Sequence, residues 1–185
     1  MIAKRSNCIF LIVGPSGSGK STVVQHLCDQ YGLRQIYSYT TRKPRYTGEK
    51  GHTFVTDEEF DKLTGMVGYT EFDGHRYCSL QEDVEKSDLY VIDPAGIEYF
   101  REHYTGSKRI VVIGIWATEA VRKKRMFLRG DSEDGIQRRL EADRAIFNTD
   151  VCDVVFYNKI LQETIGCVSD YIFRHLFCTS RLNIQ

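Results

Sequence analysis

The sequence predicts an α/β fold. Its core is a doubly wound parallel sheet, with an inserted mixed α/β subdomain and a helical lid. Three observations predict it. An apolar run, Cys8-Ile9-Phe10-Leu11-Ile12-Val13, leads straight into a glycine-rich turn and then a helical pattern. Further short β-branched runs recur downstream, with helical segments between them. Between about residues 35 and 88, short strand-like pieces around Gly and polar turns interrupt that alternation.

The first run has the look of a buried parallel strand, which is apolar on both faces. The turn after it, Gly14-Pro15-Ser16-Gly17-Ser18-Gly19-Lys20-Ser21, satisfies the phosphate-loop pattern G-x-x-x-x-G-K-[ST]. Val24, Leu27, Cys28 and Tyr31 then fall at helical spacing, so a helix starts near Ser21. A strand, a glycine turn and a helix N-terminus together make an anion site. Backbone N–H groups converge there, and the helix dipole adds positive potential. Lys20 is expected to reach the terminal phosphates of a nucleotide and Ser21 to ligate Mg²⁺. A glycine-rich turn with no ligand is the plain alternative.

Leu89 to Ile92, Arg109 to Ile115 and Val154 to Tyr157 read as further central strands. Leu161, Ile165, Val168, Ile172 and Leu176 mark a long amphipathic helix that closes the core. Within the inserted stretch, Thr53 to Val55, Val67 to Phe72 and His75 to Tyr77 read as short strands. Asp57 to Leu63 reads as a helix with acidic residues at its start, where the dipole favours them. Residues 118–130 form a basic helix and 132–147 a second. Asp131 to Gly135 supplies hinge chemistry between them. The chain thus reads as one domain over 1–185. Its core covers about 1–34, 89–117 and 148–185, its acceptor subdomain about 35–88, and its lid about 118–147.

Composition narrows the function. The 25 basic and 25 acidic residues cancel, which argues against a general binder of nucleic acid or membrane surfaces. The six cysteines include no C-x-x-C pair and several lie in apolar runs, so a reducing, cytoplasmic setting is expected. No apolar stretch is long enough to span a membrane. The histidines show no metal-ligand spacing.

Basic residues therefore act locally. Ser38-Tyr39-Thr40-Thr41-Arg42-Lys43-Pro44-Arg45 could aim two guanidinium forks at one phosphate, or be a solvated loop. Arg122, Arg125 and Arg129 share a helical face, with Arg138 and Arg139 on the next helix. Phosphoryl transfer spreads charge over equatorial oxygens, and lid arginines would meet it; a solvated helix face is the alternative. Asp93 ends an apolar strand, as either a carboxylate near Mg²⁺ or a turn residue.

In this order, the motifs resemble the guanylate kinase family from about Cys8 to Phe173. Ser38 to Arg45 resembles its S-x-T-T-R-x-P-R segment. Tyr77 and Ser79 match its Y-G-[ST] element, with Cys78 in place of Gly. Arg125, Arg129-Gly130 and Arg138-Arg139-Leu140 match its lid, and Asn158 follows the last core strand. The resemblance implies a P-loop NTPase-type fold with a GMP-binding subdomain. It also implies transfer of a phosphoryl group from ATP, with Mg²⁺, to GMP or dGMP. Lys20, Arg42, Arg125, Arg129 and Arg139 would then be catalytic. Gly14, Pro15, Ser16, Gly17, Ser18, Gly19, Lys20, Ser21, Thr22 and Asn158 would hold ATP, and Ser21 and Asp93 the metal. Ser38, Arg42, Arg45, His52, Glu71, Tyr77, Ser79 and Asp93 would hold the acceptor, with Glu71 matching the family's guanine-binding glutamate.

The chain departs from the family in several places. The strand that commonly reads D-x-D is Val91-Ile92-Asp93 here, and His52 stands where a phosphate-binding tyrosine is usual. The segment from Glu71 to Tyr77 is about three residues short. Two further readings stay open: a related sugar-phosphate kinase, such as one acting on ribose 1,5-bisphosphate, and a non-catalytic interaction module. The intact phosphate loop counts against the latter.

Overall fold

Strand β1 (Cys8–Val13) is buried along its whole length and lies in the middle of the main sheet. In the computed structural model, which describes residues 7–44 and 47–178, it pairs in parallel with β6 (Leu89–Val91) on one side. On the other side it pairs with β7 (Arg109–Trp116), which in turn pairs with β8 (Val154–Tyr157). The order β6-β1-β7-β8 is parallel throughout.

Alternation along β1 feeds two cores. Cys8, Phe10 and Ile12 pack with Val23, Val24 and Leu27 of α1 (Lys20–Tyr31) and Ile165, Val168 and Ile172 of α7 (Leu161–Cys178). Ile9, Leu11 and Val13 pack on the opposite face, against Ile97 and Phe100 of α4 (Pro94–His103). Both faces are covered by helices, as an all-parallel sheet requires.

A second sheet, in the order β3-β2-β5-β4, holds β2 (Ser38–Thr40), β3 (His52–Phe54), β4 (Thr70–Phe72) and β5 (His75–Cys78). β2 and β3 are parallel, and the other pairs are antiparallel. The register sets the faces. Thr40 and Thr70 both pair with Tyr77, so these three side chains share one side. The other side carries Tyr39 and Cys78, which pack with Phe60 of α2 (Asp57–Phe60) and with Leu80. α2 opens with a capping box: the Thr56 hydroxyl accepts from the Glu59 N–H, and the Glu59 carboxylate accepts from the Thr56 N–H.

Three elements were not read from sequence. α3 (Gln81–Lys86) and α4 are short helices flanking β6, and β2 is three residues within a polar run. Two were read too long. The expected strand 67–72 is regular only from Thr70, and the expected helix 57–63 ends at Phe60. The segment expected to be a lid forms α5 (Glu119–Leu128) and α6 (Glu133–Ile146), which meet through a small core of Met126, Ile136 and Leu140. Ser132 caps α6 by accepting from the Gly135 N–H, so Glu133 to Gly135, expected in the turn, lie in the helix.

Candidate active site

The phosphate loop hangs from the carboxyl end of β1, where doubly wound sheets bind ligands. All three of its glycines are required by space, Gly17 because a Cβ there would lie 2.8 Å from the Arg122 carbonyl oxygen. A Cβ on Gly14 would lie 2.1 Å from the Ile115 carbonyl oxygen, and one on Gly19 would lie 2.3 Å from Asn158 Nδ2. Gly19, at φ 102°, is also the N-cap of α1. Lys20 Nζ donates to the carbonyls of Gly14 (2.5 Å) and Pro15 (3.1 Å). Burial lowers its pKa to about 8, with Asp143 opposing.

Two hollows meet at this loop. The outer one is lined by Ser16, Gly17, Gly19, Lys20, Ser21 and Thr22, facing Arg125, Arg129 and Arg139. The inner cleft runs from Gly14, Ser16 and Lys20 to Ser38, Arg42, His52, Thr70, Phe72 and Tyr77 of the second sheet. Its walls include Tyr90 to Asp93 and, from α6, Asp143 and Ile146, with Phe147 beyond. Ser16 and Lys20 line both hollows. Two adjoining hollows thus share one lysine.

On the acceptor side, Ser38 Oγ lies 2.8 Å from His52 Nδ1. Arg42 forks onto Glu49 at 2.9 and 3.1 Å and stacks over Phe54. Burial disfavours its charge, but the Glu49 pairing outweighs this and raises its pKa. Asp93 follows β6 and starts the next helix. It caps α4 by accepting from the Gly96 N–H (2.7 Å), and it lines the cleft. Burial raises its pKa, with that N–H opposing.

Residues 6–175 match the family model for guanylate kinase. The chain belongs to the guanylate kinase family. It is 31% identical over 152 residues to a guanylate kinase of Geobacter metallireducens, spanning 75% of this chain and 74% of that one. A guanylate kinase of Streptomyces coelicolor is 33% identical over 168 residues, spanning 78% and 84%. The crystal structure of guanylate kinase from Anaplasma phagocytophilum shares the fold at 23% identity, with a TM-score of 0.62 over the full length of both chains.

Against the roles that this family implies, the structure sorts the residues. Gly14, Ser16, Lys20, Ser38, Arg42, His52, Tyr77 and Asp93 come together in the inner cleft. Ser21, Thr22, Arg129 and Arg139 line the outer hollow; Arg129 also pairs with Asp131. Pro15 sits at the loop's turn, accepting from Lys20 and from the Ser18 N–H. Arg45 lies outside the described residues.

Four expectations are corrected. Glu71 is exposed and bonded to the Tyr69 hydroxyl. It lines an outer groove with Asp57 and Arg76, not the cleft. The cause is strand parity: Thr70 pairs with Tyr77 and shares its cleft-facing side, so Glu71 faces away. Ser79 is fully buried, bonded to the Val67 carbonyl and to Tyr90, whose ring lines the cleft in front of it. Asn158 is also buried. Its Nδ2 donates to the Ser18 carbonyl (2.9 Å), so it props the loop and lines neither hollow. Arg125 lines the outer hollow, but its guanidinium donates to the carbonyls of Ser18 (3.0 Å) and Asn158 (3.2 Å). It braces the loop.

Sequence reading missed Tyr90 and Asp143, both in the cleft wall. Asp143 carried a signal. Ile136, Leu140 and Asp143 recur at helical spacing, and all three are buried on α6. An acid on an apolar stripe marks a buried partner.

Proposed function

We propose that the chain transfers the γ-phosphoryl group of ATP to GMP or dGMP, giving ADP and GDP or dGDP. The observation that carries this is the pair of hollows meeting at Lys20. Each side of the transfer has its own chamber, and one cation reaches both.

The chain's residues divide the work. The loop N–H groups and the α1 N-terminus attract the donor phosphates. Lys20 leaves the Gly14 and Pro15 carbonyls to meet charge on the transferred group, and Arg129 and Arg139 approach it from the lid. Arg42, His52, Ser38 and Tyr77 hold the acceptor phosphate end, with Glu49 fixing the Arg42 fork. Because phosphoryl transfer is mostly positioning and charge neutralisation, this set needs no general nucleophile.

The donor chemistry suits Mg²⁺. Among the described residues no group of three or more His, Cys, Asp or Glu could hold a metal ion. The Ser21 hydroxyl and the Asp93 carboxylate border the two hollows, and both are hard oxygen donors. Such a sparse set fits an ion that keeps waters and takes the rest of its ligands from phosphates. Bound there, the ion would neutralise charge on the phosphate oxygens.

A second reading, a sugar-phosphate acceptor without a base, draws support from Glu71 facing away from the cleft. Coupled ADP release over GMP, dGMP, AMP and ribose 1,5-bisphosphate tests both. Preference for GMP or dGMP supports the first, and preference for the sugar phosphate replaces it with the second.

A further inference from the structure

Arg122 and Asp143 are the two buried charges of the lid, 7% and 2% exposed. They flank the Met126, Ile136 and Leu140 core on its loop side: Arg122 lies one turn before Met126, and Asp143 follows Leu140. Their contacts close on one residue of the phosphate loop. The Ser16 N–H donates to Asp143 Oδ2 at 2.9 Å, and the Ser16 hydroxyl donates to Oδ1 at 3.3 Å. Arg122 Nε donates to the Ser16 carbonyl at 3.0 Å, while its Nη2 donates to Asp143 Oδ2 at 2.8 Å. The backbone donor and acceptor of Ser16 are thus both held by side chains from the lid, one from α5 and one from α6.

We infer that Arg122 and Asp143 are positioning residues that set the shape of the phosphate loop from the lid through Ser16. Ser16 lines both hollows, and the loop grips phosphate only while its N–H groups converge. An exposed ion pair could not impose this, because solvent would replace it. A buried one that engages both Asp143 oxygens and two Arg122 nitrogens holds one arrangement. Asp143 also lines the same cleft as Asp93. Arg125 adds a third tie, through the Ser18 carbonyl. Lid packing and loop shape are then one state, so variants on α5 or α6 change phosphate affinity without touching nucleotide.

The inference rests on the nucleotide-kinase reading only for the choice of ligand, so its test uses ATP binding as well as turnover. Removing one charge alone would strand the other in the interior, and would confuse stability with positioning. The double variant Arg122→Met with Asp143→Leu avoids this, since apolar residues of similar volume often replace a buried pair without loss of stability. The expected result is a melting temperature close to the parent's. ATP affinity by calorimetry, and kcat/KM for ATP, should fall about tenfold to a hundredfold, the scale of a small misplacement at a reacting centre. A double variant that melts like the parent and binds ATP within threefold of it overturns the inference.

If the double variant fails to fold, Arg122→Lys decides. Its ammonium keeps the charge but cannot bridge the Ser16 carbonyl and the Asp143 carboxylate as a planar fork does. A folded Arg122→Lys protein with unchanged ATP affinity overturns the inference, and a tenfold loss supports it. Loss of ATP affinity in a protein whose parent ignores GMP would uphold the loop inference while the acceptor reading fails.

Discussion

Replacing Glu71 with Gln should leave GMP turnover nearly intact, although the family resemblance places the base on this carboxylate. The magnitude follows from its surroundings. Glu71 is exposed, and the Tyr69 hydroxyl, whose pKa this bond pushes up to about 12, is its side-chain partner. Gln keeps one carbonyl oxygen to accept from that hydroxyl. What is lost is the charge on an exposed acceptor, worth below about 1 kcal/mol. That corresponds to a change in kcat/KM for GMP of less than about fivefold. Were the carboxylate instead receiving the paired N1 and N2 donors of guanine, the amide would turn one contact into a donor facing a donor. The loss would then be about 2 to 4 kcal/mol, on the order of thirtyfold to a thousandfold. The two outcomes do not overlap. Steady-state kinetics at saturating ATP, with GMP varied, separates them, and the KM for ATP serves as control. His52→Ala is the companion variant, since His52 lies in the cleft against Ser38; it should lose at least tenfold. A loss above thirtyfold for Glu71→Gln, with the ATP KM unchanged, would refute the strand-parity reasoning.

Other outcomes can be checked alongside. Lys20→Ala should melt like the parent and lose about 10² to 10³ in turnover, because Lys20 contributes charge at the point the two hollows share. Gly19→Ala should lower the melting temperature and weaken ATP binding together, since its Cβ would displace Asn158 Nδ2 from 2.3 Å and φ 102° is strained for alanine. Under native alkylation, Cys167 should react first among the described cysteines. Cys78 should stay protected until unfolding, being buried with its thiol pushed up to about 12.

How much was legible follows from how each element is held. β1, its loop and α1 were readable because apolar run, glycine pattern and helical spacing are consecutive in the chain. β7 and α7 were readable because they are long. β2 was not, since Ser38–Thr40 is held by pairing with β3 and β5 and carries no apolar alternation of its own. α4 had a clear start in Asp93-Pro94, a cap followed by proline at the first turn, but the same Asp was claimed as a site residue. It is both. In the site, residue types were legible and directions were not. Glu71 shows the gap, because one strand position decides the face and only the pairing with β5 fixes it. Arg125 and Asn158 show another: their side chains bond the loop itself.

The central place of β1 has a consequence for assembly in time. Its partners lie far along the chain: Phe10 pairs with Leu89, and Cys8 with Arg109. The β4–β5 hairpin, by contrast, closes over a two-residue turn, with Phe72 opposite His75. Loop closure must be met before distant pairings repay it, so local hairpins form early and long-range parallel pairings late. During synthesis, the glycine-rich segment emerges well before the strands that give it shape. Gly14 settles against the Ile115 carbonyl, and Arg122 and Asp143 come later still. The phosphate grip, written near the start of the sequence, is among the last parts of the molecule to be made. A nascent chain halted before Leu89 would lack every parallel partner of β1 and carry those glycines as a turn with nothing to shape it.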